Sequence, residues 1–246
     1  MIGIEIFSGA GGMSVGATWA GIDIKLAIEI DKFAAMTYSL NHKHCTVLNE
    51  DIRKVKTVPI QKTQEGLVLF GGPPCQGFSL SNQKTRNKSN ENNWLFEEYI
   101  RLAKICKPDW IVLENVSGLL LTESGFFLNK IVSSLKKLGY TLSYEVLNAT
   151  DFGVPQKRER FFLVGSLHGT TFKFPKPRSG KKVTVKDALN DLPILRNGAL
   201  ESELPYRKKA ESRYAKKLRG KLSKSKNHYV TRNSEIVLDR YLHIPQ

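Results

Sequence analysis

Cys75 stands where a thiol can be put to use. The apolar run Leu67-Val68-Leu69-Phe70 has the length of a buried strand, and Gly71-Gly72-Pro73-Pro74 stops it and stiffens the turn that follows. The pattern holds a thiol just past the carboxyl end of a sheet strand, the edge at which open α/β sheets carry their chemistry. A thiol of ordinary pKa, ~8.5, is mostly protonated at neutral pH, so it needs a positive or dipolar neighbour, or proton transfer coupled to attack. A carboxyl is available at a second strand end, where Glu114-Asn115-Val116 follows Trp110-Ile111-Val112-Leu113. Beside a nucleophilic thiol, Glu114 can protonate or hold a substrate heteroatom as the sulfur adds. A third group, Gln156-Lys157-Arg158-Glu159-Arg160, precedes the apolar run Phe161–Val164. On an extended segment Arg158 and Arg160 share one face, and their forks can bind a carbonyl oxygen or brace Glu114. Taken singly, each group has a plainer reading: a small buried cysteine, a loop acid, a solvated strand end.

A glycine-rich turn supplies the fourth group. Phe7-Ser8-Gly9-Ala10-Gly11-Gly12 follows an apolar strand from Ile2 and opens a helix over Met13–Ala20, with Gly21 at its end. Such a turn lets the backbone approach a ligand and offers free N–H groups at the helix start. Ser14 stands where a dinucleotide fingerprint would have its third glycine, which disfavours a pyrophosphate and leaves an adenosine-containing ligand with a carboxylate. Glu29 ends the second strand, Lys25–Ile30, and is placed to accept from a ribose diol; Asp51 ends the third, Val47–Asp51, and can accept from an adenine amino group. Each acid alone reads as a solvated residue, but signals at three successive strand ends favour a nucleoside cofactor.

The elements that must position these groups alternate. Strands at Ile2–Phe7, Lys25–Ile30, Val47–Asp51, Leu67–Phe70, Trp110–Leu113, Leu142–Leu147 and Phe161–Val164 are separated by helices at Met13–Ala20, Lys32–Asn41, around Phe96, Ile100 and Ala103, and at Phe126–Leu138. This predicts an α/β fold with a mostly parallel sheet covered by helices on both faces. Residues 83–93 are polar and read as a surface loop. Beyond Gly165 the pattern weakens: a short helix is expected over Val183–Leu192, and the chain from Ile194 is basic and only weakly periodic. The chain has 38 Lys and Arg against 23 Asp and Glu, a net charge of +15, and residues 165–246 hold 19 of those cations and 7 of those acids. Such asymmetry points to a polyanion partner, most often nucleic acid. No apolar run is long enough to cross a bilayer, and the first residues have no signal-peptide character. Three cysteines without paired spacing, and no Cys/His cluster, predict a reduced cytoplasmic protein without a metal.

In this order and spacing, Phe7–Gly12, Pro73-Pro74-Cys75-Gln76-Gly77-Phe78-Ser79, Glu114-Asn115-Val116 and Gln156–Arg160 resemble the signature blocks of the DNA (cytosine-5) methyltransferases. The resemblance runs the length of the chain. It implies a Rossmann-like S-adenosylmethionine-dependent methyltransferase fold, with S-adenosylmethionine as methyl donor. By this likeness Phe7, Ser8, Gly9, Gly11 and Gly12 hold its methionine end, Glu29 the ribose, Ile30 and Ile52 the adenine ring, and Asp51 the adenine amino group, with Pro73 also at the cofactor. Cys75 would add to carbon 6 of a cytosine flipped out of duplex DNA. Glu114 would contact ring N3 and the exocyclic amine, Arg160 would hold O2, and Arg158, Pro74, Asn115 and Gln156 would support the site.

The departure from the family lies at the end of the chain. Complete members continue into a target-recognition region, a further arginine-containing block and a Gly-Asn-Ser-Val type segment that returns to the cofactor. None of these is in the sequence. The expectation is a catalytic and cofactor-binding domain over 1–193, a basic extension over 194–246, and the catalytic chain of a split bacterial restriction–modification enzyme, a heterodimer whose second chain recognises the target. A truncated sequence is the plainer alternative. A tRNA cytosine-5 methyltransferase and a non-catalytic DNA-binding subunit are the alternative functions; the intact Cys75, Glu114, Arg158 and Arg160 oppose the latter. A nicotinamide oxidoreductase is opposed by the missing third glycine and by the Pro-Cys turn.

Overall fold

The computed structural model describes residues 1–60, 62–74 and 94–244. They divide into two compact units, Met1–Asn148 with Glu159–Lys176, and Ala149–Arg158 with Pro177–Gln246. The strands of the first unit are β1 (Ile2–Ile6), β2 (Asp23–Glu29), β3 (Thr46–Asn49), β4 (Leu67–Gly71), β5 (Trp110–Val116), β6 (Thr141–Asn148) and β7 (Glu159–Ser166). They form one seven-stranded sheet in the order β3-β2-β1-β4-β5-β7-β6. The first five of these run parallel, and β7 runs antiparallel to both β5 and β6. Parallel neighbours need crossovers. Two of them are α1 (Gly12–Trp19) and α2 (Lys32–Asn41); α3 (Leu95–Cys106) leads into β5 and α4 (Phe126–Lys137) joins β5 to β6.

Strand alternation sends successive side chains to opposite faces. On one face Ile4, Ile6, Leu69, Ile111, Leu113 and Leu163 pack against Phe96, Tyr99 and Leu102 of α3 and Phe127, Ile131 and Leu135 of α4. On the other, Ile24, Val68 and Phe70 pack with Met13 and Ala17 of α1 and with Trp110 and Val112. β1 is buried along its whole length, as a central strand covered on both faces must be.

The expected core elements all form. β5 runs further than the apolar run implied: Glu114 and Asn115 lie within the strand, still paired with Phe162 and Phe161 of β7. The residues from Cys75 to Asn93, which include the expected 83–93 loop, lie outside the described residues.

The second unit carries more structure than its weak periodicity implied. It holds α5 (Val185–Leu189), β8 (Leu200–Pro205), α6 (Arg213–Arg219), β9 (Lys224–Tyr229) and α7 (Glu235–Leu242). β8 and β9 pair antiparallel as a two-stranded ribbon. α5 is shorter than the expected Val183–Leu192 helix: a capping box between Thr184 and Asp187 starts it at Val185, and it ends at Leu189. The unit takes up the chain at Pro177 and includes residues 149–158. No described helix is long and apolar enough to cross a membrane.

Candidate active site

A cavity of about 330 Å³ opens at the carboxyl ends of β1, β2 and β3. Its lining includes Phe7, Gly9, Glu29, Ile30, Asp51 and Ile52. The sequence had separated these residues among three strand ends, and the fold brings them to one edge. Phe7 turns the chain there with a φ of 55°, in the left-handed region that a bulky residue rarely adopts. The cost of holding it is of order ~1–3 kcal/mol and must be met by its surroundings. Ser8 N–H donates to the Ile28 carbonyl at 3.2 Å, which ties the turn to β2. Glu29 fixes it further: one carboxylate oxygen accepts from Gly9 N–H at 2.7 Å and the other from Asp31 N–H at 2.8 Å. Both oxygens keep lone pairs for a ligand hydroxyl.

Asp51 caps the short 3₁₀ turn Ile52–Lys54 by accepting from Arg53 N–H. The Arg53 guanidinium also grips it, with Nη2 2.7 Å from Oδ2, and holds its carboxyl below the ordinary carboxylate value. Arg53, Glu50 and Leu95 line the same cavity and were not singled out from the sequence; Gly72, expected only as a turn residue, lines it too. Arg53 had a legible signal, since it lies two residues beyond the acid whose turn it closes.

These residues suit a nucleoside that carries positive charge and suit a pyrophosphate poorly. Among the described residues, Glu29, Glu50 and Asp51 put three carboxylates on the lining against one cation, Arg53. Ile30, 63 % exposed, offers an apolar wall for a ring. Ser8 Oγ is buried in the turn and has no hydrogen-bond partner among the described residues, so the turn holds an unused polar group. A sulfonium donor with a methionine end and an adenosine end therefore fits the groups present.

Glycines bring the cavity against the second group. A side chain on Gly71 would begin 1.9 Å from the Ile6 carbonyl oxygen, so β4 can turn here only without one. A Cβ on Gly72, which lines the cavity, would lie 2.6 Å from Glu114 Oε2. Glu114 in turn pairs with Arg160, Oε1 to Nε at 3.0 Å, both side chains about three-quarters buried. Asn115 Nδ2 donates to the Pro73 carbonyl at 3.1 Å and so holds the turn that leads to position 75. Pro74 lines the cavity. Gly11 and Gly12 lie at the start of α1. Gln156 and Arg158 belong to the second unit, where the Arg158 carbonyl accepts from Ala149 N–H at 2.9 Å. Cys75 lies outside the described residues. Cys45 and Cys106 are free thiols, and burial raises both, Cys106 to about 11, which makes them poor nucleophiles. Among the described residues no group of three or more His, Cys, Asp or Glu could hold a metal.

Behind the glycine turn lies a buried network that sequence reasoning missed. Ser14, at the position of the absent third glycine, donates to the Glu5 carboxyl, and Tyr38 Oη lies 2.6 Å from Ser14 Oγ. Burial pushes Glu5 up to about 7. The signal was an acid inside the apolar strand Ile2-Gly3-Ile4-Glu5-Ile6 with a serine one helical turn into α1.

Residues 1–243 match the profile of the C-5 cytosine-specific DNA methylases. The chain belongs to this family. It is 32% identical over 248 residues to the type II methyltransferase M.DdeI of Desulfomicrobium norvegicum, a match that covers 97% of this chain and 59% of that protein. The type II methyltransferase M.AquIA of Picosynechococcus is 36% identical over 219 residues, covering 77% of this chain and 88% of the relative. The methylase chain thus spans about three fifths of M.DdeI and pairs with most of M.AquIA. Among solved structures, a prophage-encoded E. coli protein assigned as a DNA modification methyltransferase superposes with a TM-score of 0.78 at 27% identity, over 99% of this chain and 75% of that one. With the observed strand order, this likeness defines the Rossmann-like fold of S-adenosylmethionine-dependent methyltransferases.

Proposed function

We propose that this methylase chain is the catalytic part of a bacterial DNA cytosine-5 methyltransferase of a type II restriction–modification system. The observation that carries the reading is the cavity of Glu29, Ile30, Asp51 and Ile52, joined through Gly72 to the Glu114–Arg160 pair. S-adenosylmethionine is the cofactor that fits, and when bound it supplies an electrophilic methyl group. Glu29 takes the ribose hydroxyls, Asp51 the adenine amino group, Ile30 and Ile52 the ring faces, and the Phe7–Gly12 turn the methionine end, with Pro73 beside it.

The substrate is a cytosine turned out of duplex DNA. The Cys75 thiolate adds to carbon 6 while Glu114 holds or protonates N3, so the ring's electron pair is placed on carbon 5. Arg160 binds O2 and, through its ion pair, keeps Glu114 aimed. With the donor held by Glu29, Asp51 and the Phe7–Gly12 turn, carbon 5 would accept its methyl group as the sulfonium S–C bond breaks and the sulfur keeps the electron pair as a neutral thioether; a base would then remove the carbon-5 proton and the Cys75 thiolate would leave by elimination. Asn115, Pro74 and Gln156 brace the site and Arg158 supports it. In this reading residues 1–193 do the chemistry and the basic 194–246 segment leads toward target recognition. A second chain supplies the recognition region, and the assembly acts in the cytoplasm.

The test is transfer of tritiated methyl groups to duplex DNA and to tRNA, by the chain alone and with its second chain. DNA labelling by the pair, negligible labelling by the chain alone, and its loss in Cys75→Ser are expected. Labelling by Cys75→Ser would overturn the nucleophile, and preferential tRNA labelling would establish the RNA alternative. A covalent adduct with 5-fluorocytosine DNA distinguishes a catalytic chain from a non-catalytic DNA-binding subunit.

A further inference from the structure

The glycine turn at the cavity is packed from one side only. A side chain at Gly9 or Gly12 would meet nothing within 4 Å, and Gly9 lines the cavity. Gly11 is different. It is the N-cap of α1, at a φ of 91°, and it has no side chain with which to cap the helix. A Cβ on it would stand 2.5 Å from the His42 ring. The bare main chain lets that ring approach: His42 Nε2 lies 3.1 Å from the Gly11 carbonyl oxygen, which also accepts from Val15 N–H at 3.1 Å. A carbonyl only accepts, so His42 Nε2 is the donor in this contact.

His42 is itself held. It is the C-cap of α2, and its ring lies against the buried Tyr38 ring with centroids 4.4 Å apart. Tyr38 Oη reaches Ser14 in the first turn of α1, and Ser14 donates to Glu5 of β1. At its other end α2 is started by Asp31, whose side chain accepts from Ala34 N–H at 2.7 Å and whose own N–H donates to Glu29. The second oxygen of Glu29 holds Gly9 N–H. The contacts close a ring that runs from Glu29 through Gly9 and Gly11 to His42, and back along α2 to Asp31 and Glu29. Neither Tyr38 nor His42 lines the cavity. Glycine loses more conformational freedom on ordering than any other residue. A restraint already in place before a ligand arrives removes part of that cost from binding.

We propose that Tyr38 and His42 are positioning residues for the methionine end of S-adenosylmethionine, acting by holding Gly11 and the start of α1 from behind. The inference rests on the reading of the cavity as the cofactor site. Opening the ring at His42 frees Gly11 and leaves both hydrogen bonds of Glu29 in place. The two residues therefore serve the turn and not the wall of Ile30, Asp51 and Ile52, so their loss is felt at one end of the ligand.

The experiment uses the whole chain and a matched pair of thioethers. S-adenosylhomocysteine carries the amino-acid end; 5′-methylthioadenosine shares its adenosine and sulfur and lacks that end. His42→Phe keeps a ring against Tyr38 and removes the donor, and His42→Gln returns an N–H donor. Calorimetry of His42→Phe should show S-adenosylhomocysteine bound about five- to tenfold more weakly, the order of one hydrogen bond, and methylthioadenosine changed by less than about twofold. His42→Gln should recover most of the loss. Tyr38→Phe keeps its ring and loses the contact with Ser14; it should show the same split between the two ligands, and it carries the test if His42→Phe does not fold. Equal losses for both thioethers, or no loss for S-adenosylhomocysteine, overturn the positioning role. A loss in His42→Phe that His42→Gln does not recover overturns the part given to the His42 hydrogen bond. If the wild-type chain binds neither thioether, the cofactor reading itself falls and the inference with it; if it binds both and the variants do not separate them, the inference alone falls.

Discussion

Glu114 and Arg160 form one ion-paired unit, Oε1 to Nε at 3.0 Å, with both side chains about three-quarters buried. Glu114→Gln keeps the shape and removes the acid. It should lower single-turnover methyl transfer by roughly 10²–10⁴-fold, the usual worth of a positioned general acid. Arg160→Ala should fall in the same range, and the double variant should be far less impaired than the product of the two, because the residues share one interaction. S-adenosylmethionine affinity, read by calorimetry, should stay near wild type in all three; a matching loss of affinity would move the pair into the cofactor site. Glu5 acts on stability instead. Desolvation raises its pKa from 4.5 to about 7 in the folded chain. Between those values the folded state holds a proton that the unfolded state has released, so stability falls as pH rises through the window and levels off above it. Glu5→Gln removes the titration. The variant should gain on wild type between pH ~4.5 and ~7, by up to about 3 kcal/mol, and match it more closely below. Urea unfolding across that range gives the difference directly, and parallel curves for the two proteins would show that Glu5 is not perturbed.

At the scale of elements, the sheet edge is set by backbone that tolerates no side chain. Gly71→Ala would press a methyl against the Ile6 carbonyl at 1.9 Å, where the obstacle is main chain and cannot swing away. The expected cost is more than ~3 kcal/mol in chemical denaturation, at the severe end for a single substitution. Gly72→Ala meets the Glu114 carboxylate instead, a flexible side-chain end, so it should leave stability nearly intact and impair methyl transfer. The same contrast explains what could be read from sequence. Leu67–Phe70 and Trp110–Leu113 are short apolar runs beside turn residues, and buried strands announce themselves that way. Glu29 was legible because it ends β2; Asp51, expected to end β3, lies two residues beyond that strand and caps the turn Ile52–Lys54. The β8–β9 ribbon was not, because Leu-Glu-Ser-Glu-Leu-Pro and Lys-Ser-Lys-Asn-His-Tyr bury little: only Ser225 and His228 of β9 are buried. Its ladder is made of backbone hydrogen bonds, which leave no mark on the side-chain pattern. The continuation of β5 through Glu114 and Asn115 was hidden for a related reason, since the polar residues there are held by backbone pairing with β7 and by the Glu114–Arg160 and Asn115–Pro73 contacts.

For the whole molecule, the decisive property is where the positive charge remains uncompensated. Of the net +15, most arises after residue 165. Part of this charge is internal to the second unit: Arg219 lies over the Tyr206 ring at 3.9 Å and 3.7 Å from Asp191, Lys208 pairs with Glu211 at 2.8 Å, and Lys224 with Glu203 at 3.7 Å. Arg213, Lys216 and Lys217 of α6 are exposed and have no ion-pair partner among the described residues. α6 begins at Ser212, whose hydroxyl accepts from Ala215 N–H at 2.9 Å, so the helix does not depend on those cations for its start. If the partner is duplex DNA, they are the groups free to displace phosphate counterions. Each phosphate contact adds about 0.9 to the slope of log affinity against log salt. Replacing Arg213, Lys216 and Lys217 together by alanine should therefore reduce that slope by up to about 3, weaken binding at low salt, and do so equally for any DNA sequence. Lys224→Ala, which removes a cation already paired, should change the slope much less. Fluorescence anisotropy of a labelled duplex over a salt series reads both. An unchanged slope in the triple variant would assign the surplus charge of α6 to solubility, and a loss confined to one sequence would make it part of target recognition.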